Sequence, residues 1–95
     1  MNTKTDEIKA IVVKVLEKHD VKRAGLFGSL VRGETSGDSD VDVLVEIDRD
    51  ISLLDFVGLK LEIEEALGKK VDLVEYDTIK PILKERILNE QVIIL

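Results

Sequence analysis

Two aspartates, Asp40 and Asp42, stand one residue apart at the start of an apolar run that extends to Ile47. Side chains alternate between the two faces of a strand, so both carboxylates are expected to project from the same face. Neighbouring carboxylates repel each other, and a divalent cation removes that repulsion. Oxygen ligands without cysteine or a histidine cluster favour a hard ion such as Mg²⁺ or Mn²⁺. The pair is therefore a candidate metal site; the alternative is a solvated strand start.

A second pair, Gly28 and Ser29, directly follows the apolar run from Ala24 to Phe27. A glycine at a strand end followed by a small hydroxyl residue suits a sharp turn with exposed backbone N–H groups. Such groups at a helix start can bind a phosphate. An anion site and a cation site within one stretch suit a nucleoside triphosphate that carries a metal ion. Turn formation alone is the simpler interpretation of Ser29.

Together, Gly28-Ser29, an interval of ten residues and Asp40-Val41-Asp42 resemble the signature of the DNA polymerase β-type nucleotidyltransferase superfamily. Arg32-Gly33 and Ser39, inside the interval, resemble its smallest branch, the minimal nucleotidyltransferases (MNT), which are antitoxin partners of HEPN-domain toxins. Each motif alone is weak, but both at this spacing between two apolar strands form a specific pattern. The resemblance covers nearly the whole chain.

The resemblance implies that Asp40, Asp42 and Asp72 are catalytic and bind Mg²⁺, with two ions expected. Asp40 and Asp42 are the bridging pair. Asp72 matches the acidic position of the family on the next strand, where it could also accept the proton of the acceptor. Glu75 and Asp77 are the fallback candidates for this third carboxylate.

ATP is the implied substrate, with Gly28, Ser29, Arg32 and Ser39 as the residues that bind it. Arg32 could pair with a phosphate or brace the loop through a neighbouring acidic residue. Ser39 could touch the γ-phosphate or cap local backbone groups. Lys69-Lys70 is interpreted as a solvated pair rather than as phosphate ligands.

The implied activity is Mg²⁺-dependent transfer of AMP from ATP to a protein hydroxyl, expected to be a tyrosine of a cognate HEPN toxin. The chain would then act as a type VII-like antitoxin. The alternative is a non-catalytic nucleotide-binding antitoxin that neutralises the toxin by forming a complex. Transfer to a small molecule is disfavoured, because such relatives carry an additional domain, which only a homodimer could replace here. Tyr76 is a candidate self-modification site, although core packing explains it equally well.

The composition of the chain limits the number of domains and the classes of partner that we expect. Ninety-five residues predict one domain, residues 1–95. The net charge of −6 argues against direct nucleic-acid binding, since phosphate contacts dominate that affinity. The chain has no cysteine, which excludes disulfides, and neither a membrane-spanning run nor an apolar N-terminal signal core. We therefore expect a cytoplasmic protein without a membrane partner, as a homodimer or within a hetero-oligomer.

The hydrophobic periodicity predicts an α/β (α+β) fold. It is a small mixed sheet of three to four strands, with helices packed mainly on one face and Asp40 and Asp42 on the other. The predicted elements are a helix from Thr3 or Thr5 to His19-Asp20, strands at Val21–Phe27, Asp40–Ile47 and Val71–Tyr76, a helix from Asp50 or Ser52 to Leu67 with Gly68 after it, a helix capped by Thr78 with Pro81 in its first turn, and a strand or apolar tail at Val92–Leu95. His19 is interpreted as a surface residue at a helix end.

The helix that ends at Leu67 carries apolar residues on more than one face. Two explanations are open. Part of this helix could meet a partner chain, or the whole helix could lie deep in the core.

Overall fold

The computed structural model describes residues 3–28, 40–47 and 51–95 of the chain. The elements are α1 (Thr3–Lys18), β1 (Val21–Phe27), β2 (Val41–Ile47), α2 (Leu53–Leu67), β3 (Val71–Glu75), a 3₁₀ turn (Tyr76–Thr78), α3 (Pro81–Glu90) and β4 (Val92–Ile93). The strands form one mixed sheet in the order β3-β2-β1-β4, in which only β2 and β3 are parallel within the described residues. The predicted fold class is confirmed. None of the helices described is both long and apolar enough to cross a membrane.

The main core lies between one face of the sheet and the helices α1 and α2. Strand β2 alternates, so that Val41, Val43 and Val45 are buried in this core while Asp42 belongs to the opposite face. The buried residues of the main core are Ile8, Val12, Val15, Leu16, Val21, Ala24, Leu26, Val41, Val43, Val45, Leu59, Ile63, Val71 and Leu73. The predicted position of Asp42, on the face of β2 opposite the buried valines, is confirmed.

Local capping sets the boundaries of α2. The Ser52 hydroxyl accepts a hydrogen bond from the Asp55 N–H (3.0 Å), which satisfies a donor of the first turn. Gly68 adopts a φ of 68°, and its N–H donates to the Glu64 carbonyl (2.8 Å). Of the two predicted caps, the structure therefore uses Ser52, and the helix ends at Leu67 as predicted.

A smaller apolar cluster lies on the other face of the sheet, built on Leu44, Tyr76 and Ile79. Ile87 and Leu88 of α3 pack against it and remain partly exposed, and no described residue of α3 is fully buried. Helices thus lie mainly on one face, as predicted, and α3 covers part of the other.

Two predicted boundaries in the C-terminal quarter of the chain are wrong. Tyr76 begins the 3₁₀ turn instead of ending β3. Thr78 does not cap α3, because its hydroxyl donates to the Glu75 carbonyl (2.9 Å) inside that turn. Helix α3 begins at Pro81, whose fixed φ suits a first helical position. The final segment forms a short strand, β4, beside β1.

Candidate active site

One edge of the sheet gathers the predicted catalytic residues. Strands β2 and β3 are parallel, so their first residues lie together, and the antiparallel β1 ends at the same edge. Asp42 is the register partner of Phe27 on β1 and of Asp72 on β3. Gly28 follows Phe27, and Asp40 precedes β2 by one residue. The edge thus combines a glycine turn with three aspartates that are distant in sequence.

Asp42 and Asp72 are the closest aligned pair. They are in register on neighbouring strands, which lie about 4.8 Å apart, and they project on the same side of the sheet. Asp42 is half-buried, whereas Asp40 and Asp72 are exposed. The Asp72 carboxylate lies within an otherwise apolar strand, but it remains in contact with water and therefore carries no burial cost.

Gly28 lies directly against Asp42. Its φ is 79°, in the left-handed region that favours glycine. A Cβ atom built on Gly28 would run into the carboxylate of Asp42. This position therefore requires glycine for two reasons, the turn and the close approach of the aspartate. The small space that a side chain would fill belongs to the Asp42 carboxylate.

The three aspartates are aligned by the backbone but do not form a finished metal site. Within residues 3–28, 40–47 and 51–95, no group of three or more His, Cys, Asp or Glu side chains is arranged so that it could hold a metal ion. The oxygen donor set and the aligned strands nevertheless fit a hard divalent cation in type and placement. The assignment of Asp40, Asp42 and Asp72 as metal ligands stays a prediction.

Three predicted nucleotide contacts, Ser29, Arg32 and Ser39, lie outside the described residues. The segment that contains them connects Gly28 to Asp40, and both of these residues lie at the acidic edge. The roles of Ser29, Arg32 and Ser39 also stay predictions.

The fallback carboxylates lie elsewhere. Glu75 is the register partner of Val45, three residues along β3 from Asp72, which is roughly 10 Å in a strand. Asp77 lies beyond it in the 3₁₀ turn. Only Asp72, among these three, shares the edge with Asp42.

A backbone contact that sequence reasoning missed places a lysine pair at this edge. The Val41 N–H donates to the Lys70 carbonyl (3.0 Å), so Lys69 and Lys70 enter β3 beside the start of β2. Lys70 is exposed. Two cations next to aspartates offset part of the negative charge there. Lys69 and Lys70 directly precede the strand that carries Asp72, and this position in the sequence could have indicated that they lie near the aspartates.

His19 and Tyr76 lie away from the acidic edge. His19 precedes the opposite end of β1, and its Nε2 lies 3.0 Å from Oε1 of Glu62. The Lys18 ammonium, 2.7 Å from Oε2, and then His19 hold the pKa of Glu62 below its ordinary value. This is the surface position that the sequence predicts for His19.

Tyr76 is 5% exposed, and its hydroxyl donates to Oε1 of Gln91 (2.6 Å). The Arg23 guanidinium stacks 4.2 Å from the centre of its ring. Burial raises the pKa of the Tyr76 hydroxyl above its usual value. These contacts favour core packing over self-modification for this tyrosine.

Residues 9–95 match the family model described as polymerase beta nucleotidyltransferase. The chain belongs to the polymerase β-type nucleotidyltransferases. A Methanocaldococcus jannaschii protein provisionally named a protein adenylyltransferase is 53% identical over 90 residues, 95% of this chain and 97% of that protein. The protein adenylyltransferase MntA of Thermococcus cleftensis is 40% identical over 91 residues, 92% of each chain.

Solved structures agree with this membership. A protein described as a minimal nucleotidyltransferase is 38% identical, with a TM-score of 0.77 over 88% of this nucleotidyltransferase and 86% of that chain. An MNT antitoxin from Shewanella oneidensis, in complex with a tri-AMPylated HEPN toxin, has a TM-score of 0.75 at 18% identity, over 95% of this chain and 71% of the matched chain. At that identity the second likeness shows the fold alone.

Proposed function

We propose that this nucleotidyltransferase transfers AMP from ATP to a protein hydroxyl, in the cytoplasm and with Mg²⁺. The acceptor is a tyrosine of a cognate HEPN toxin, which the transfer silences. The observation that carries the proposal is the register of Asp42 and Asp72 on parallel strands, with Gly28 closing on Asp42 at the same edge. Relatives named protein adenylyltransferases, at 53% and 40% identity, support AMP as the transferred group. The HEPN partner rests on the resemblance of the motif to the MNT branch.

In the proposed reaction, the acceptor hydroxyl oxygen bonds to the α-phosphorus of ATP, and the bond from that phosphorus to pyrophosphate breaks. The hydroxyl proton passes to the Asp72 carboxylate, which is exposed and therefore accessible to an acceptor from another protein. Gly28 lets the chain turn tightly over Asp42, which fixes that carboxylate at the edge. Ser29, Arg32 and Ser39 bind the triphosphate. Positioning and charge neutralisation are the main requirements of such a transfer.

Asp40, Asp42 and Asp72 are the residues that would hold Mg²⁺. Bound Mg²⁺ would supply neutralisation of the triphosphate and of the leaving pyrophosphate. The register of β2 and β3 puts Asp42 beside Asp72, which supports a shared role of these two residues in holding the ion. Mutual repulsion favours rotamers that keep three carboxylates apart.

The test is intact mass of a co-expressed HEPN toxin after incubation with the purified chain, ATP and Mg²⁺. We expect the toxin to gain mass in steps of one AMP, and the variant Asp40→Asn plus Asp42→Asn to abolish the gain while it stays folded. Peptide mapping should place the AMP on a tyrosine. A folded double variant that still transfers AMP would contradict the assignment.

The second candidate function is a non-catalytic antitoxin that binds nucleotide and blocks its toxin by contact alone. The exposed apolar residues of α2 favour a partner surface, which this function also needs. The same experiment separates the two functions. A stable complex without any mass gain identifies the binding antitoxin.

A further inference from the structure

Helix α2 has two apolar faces, and only one of them packs against the other residues that the structure describes. Leu59 and Ile63 are buried in the main core. On the opposite side, Leu54, Val57 and Leu61 are 83%, 40% and 55% exposed. Their spacing of three, four and seven residues, together with Gly58, places them on one outward stripe. We call Leu54, Val57, Gly58 and Leu61 the α2 stripe.

Gly58 has no reason to be glycine within the described chain. A Cβ atom at this position would meet nothing within 4 Å outside the backbone of its own helix. Glycine inside a helix costs about 1 kcal/mol relative to alanine, because it loses more conformational freedom on folding. The glycine leaves a notch between Leu54 and Leu61, one turn away on either side. Small residues at a helix surface allow a second helix backbone to approach closely.

Acidic residues border the α2 stripe. Asp55 and Glu62 follow one side of Gly58, at −3 and +4, and Glu65 lies one turn beyond Leu61. Asp55 and Glu65 are exposed. On the acidic side, the described residues leave a groove of about 520 Å³, lined by Asp55, Glu62, Gly58 and Ile47 among others. Lys18 and His19 already pair with Glu62, so the exposed carboxylates of Asp55 and Glu65 are the ones that favour a partner with basic side chains beside its apolar ones.

A second copy of the chain fits this surface poorly. Each chain carries a net charge of −6, which opposes self-association. Two copies packed antiparallel through the same stripe about a two-fold axis would also bring their Asp55 and Glu62 borders together. The charge pattern therefore points to a different, basic partner.

We propose that the α2 stripe is the docking surface for an amphipathic helix of the acceptor protein, with basic residues flanking its apolar face and its backbone crossing at Gly58. This inference rests on the proposed function, since the acceptor is the HEPN toxin. It adds the surface and the chemistry of recognition. The surface is separate from the acidic edge, so docking and transfer are independently testable.

The experiment measures binding of the co-expressed HEPN toxin to purified variants by calorimetry, with ATP binding measured in parallel. Leu54→Asp should weaken toxin binding about tenfold or more, because it places a charge within the apolar contact, one turn from the crossing point at Gly58. The matched control is Ile82→Asp on α3, a position that is 88% exposed against 83% for Leu54. Ile82→Asp should leave toxin binding unchanged, and both variants should bind ATP like the wild type.

Gly58→Ala provides a test that misfolding cannot imitate. Alanine should raise the melting temperature by about 4–8 °C, because it relieves the helical cost of glycine. The same substitution should weaken toxin binding, since the methyl group fills the notch. A more stable chain that binds its partner less tightly is the specific signature of a contact at Gly58.

Four outcomes overturn the inference. They are wild-type affinity of Leu54→Asp, loss of affinity in Ile82→Asp, absence of any complex with the toxin, and a wild-type homodimer that Leu54→Asp dissociates. Failure of the proposed function looks different. In that case the toxin binds through Leu54 but gains no AMP. If Leu54→Asp instead leaves both toxin binding and AMP transfer unchanged, the docking surface is refuted and the proposed function stands.

Discussion

Gly28 is the single residue on which both the turn after β1 and the position of the Asp42 carboxylate depend. Its positive φ turns the chain out of β1, and its missing side chain leaves space for the carboxylate of Asp42. Gly68 also has a positive φ, but a Cβ atom there would meet nothing within 4 Å. The two glycines therefore share the backbone requirement and differ only in whether a functional side chain occupies the space.

We expect Gly28→Ala to reduce AMP transfer strongly and to destabilise the chain by about 1–2 kcal/mol, because alanine is strained at this φ and displaces Asp42. Gly68→Ala is the matched control. It should cost about 1 kcal/mol for the same backbone reason and leave transfer unchanged. Guanidinium unfolding and toxin mass spectrometry check both variants. Full activity of Gly28→Ala would show that the position of Asp42 does not depend on this contact.

At the scale of elements, the parallel pairing of β2 with β3 decides which carboxylates can act together. Strand β3 carries two acidic residues, Asp72 and Glu75, opposite Asp42 and Val45 respectively. Both are in one short strand, yet only Asp72 reaches the edge where β1 ends and β2 begins. The register therefore distinguishes Asp72, a candidate catalytic residue, from Glu75, which has the same charge but lies away from the site.

This register predicts different results for Asp72→Asn and Glu75→Gln. Both substitutions remove one negative charge from β3 and keep the size of the side chain. Asp72→Asn should lower the rate of AMP transfer by at least about 100-fold, because it removes the proposed proton acceptor and a predicted metal ligand. Glu75→Gln should change the rate less than about threefold. Equal losses in the two variants would point to a general effect of charge rather than to a site at the edge.

Helix α2 shows, at the same scale, why its environment could not be read from sequence. Its caps are local, and Ser52 and Gly68 were both identifiable by residue type. Its burial is not local, because apolar residues surround the helix and either face could have met the sheet. The structure buries Leu59 and Ile63 and leaves Leu54 and Leu61 exposed, which favours the partner interpretation over deep burial.

For the whole molecule, alternation along β2 was sufficient to place Asp42 opposite the main core, because strand geometry is periodic. The register of Asp42 with Asp72 depends on a parallel pairing between segments 30 residues apart, which the residues of neither strand specify alone. The resemblance to a family supplied that third carboxylate. Thr78 was misassigned as a cap because it satisfies the Glu75 carbonyl within a turn, a competing local interaction with the same chemistry.

At the scale of the whole molecule, two described groups outside the sheet have shifted pKa values, Glu62 on α2 and Tyr76 in the 3₁₀ turn. The folded pKa of Glu62 is lowered by Lys18 and His19, so its contribution to stability is present above its ordinary pKa, 4.5, and is lost as the pH falls through the folded value. This contribution is small, because the ion pair between Glu62 and the exposed Lys18 lies at the surface, where water screens it. Tyr76 acts at the alkaline limit and in the opposite sense.

Burial raises the folded pKa of Tyr76, so its contribution is fully present below its ordinary value of about 10 and is lost as the pH rises through the folded value. Tyr76→Phe removes both this ionisation and the hydrogen bond to Gln91, which costs about 1 kcal/mol at neutral pH. The gap in unfolding free energy between wild type and variant should therefore shrink between about pH 8 and about pH 11. Guanidinium unfolding at the two pH values measures this gap. The control is Glu62→Gln, which removes no group that titrates in this range, so its unfolding free energy should change with pH as that of the wild type does. A gap that stays constant would mean that the Tyr76 hydroxyl ionises as easily in the folded chain as in the unfolded one, and that the Gln91 contact does not keep it from water.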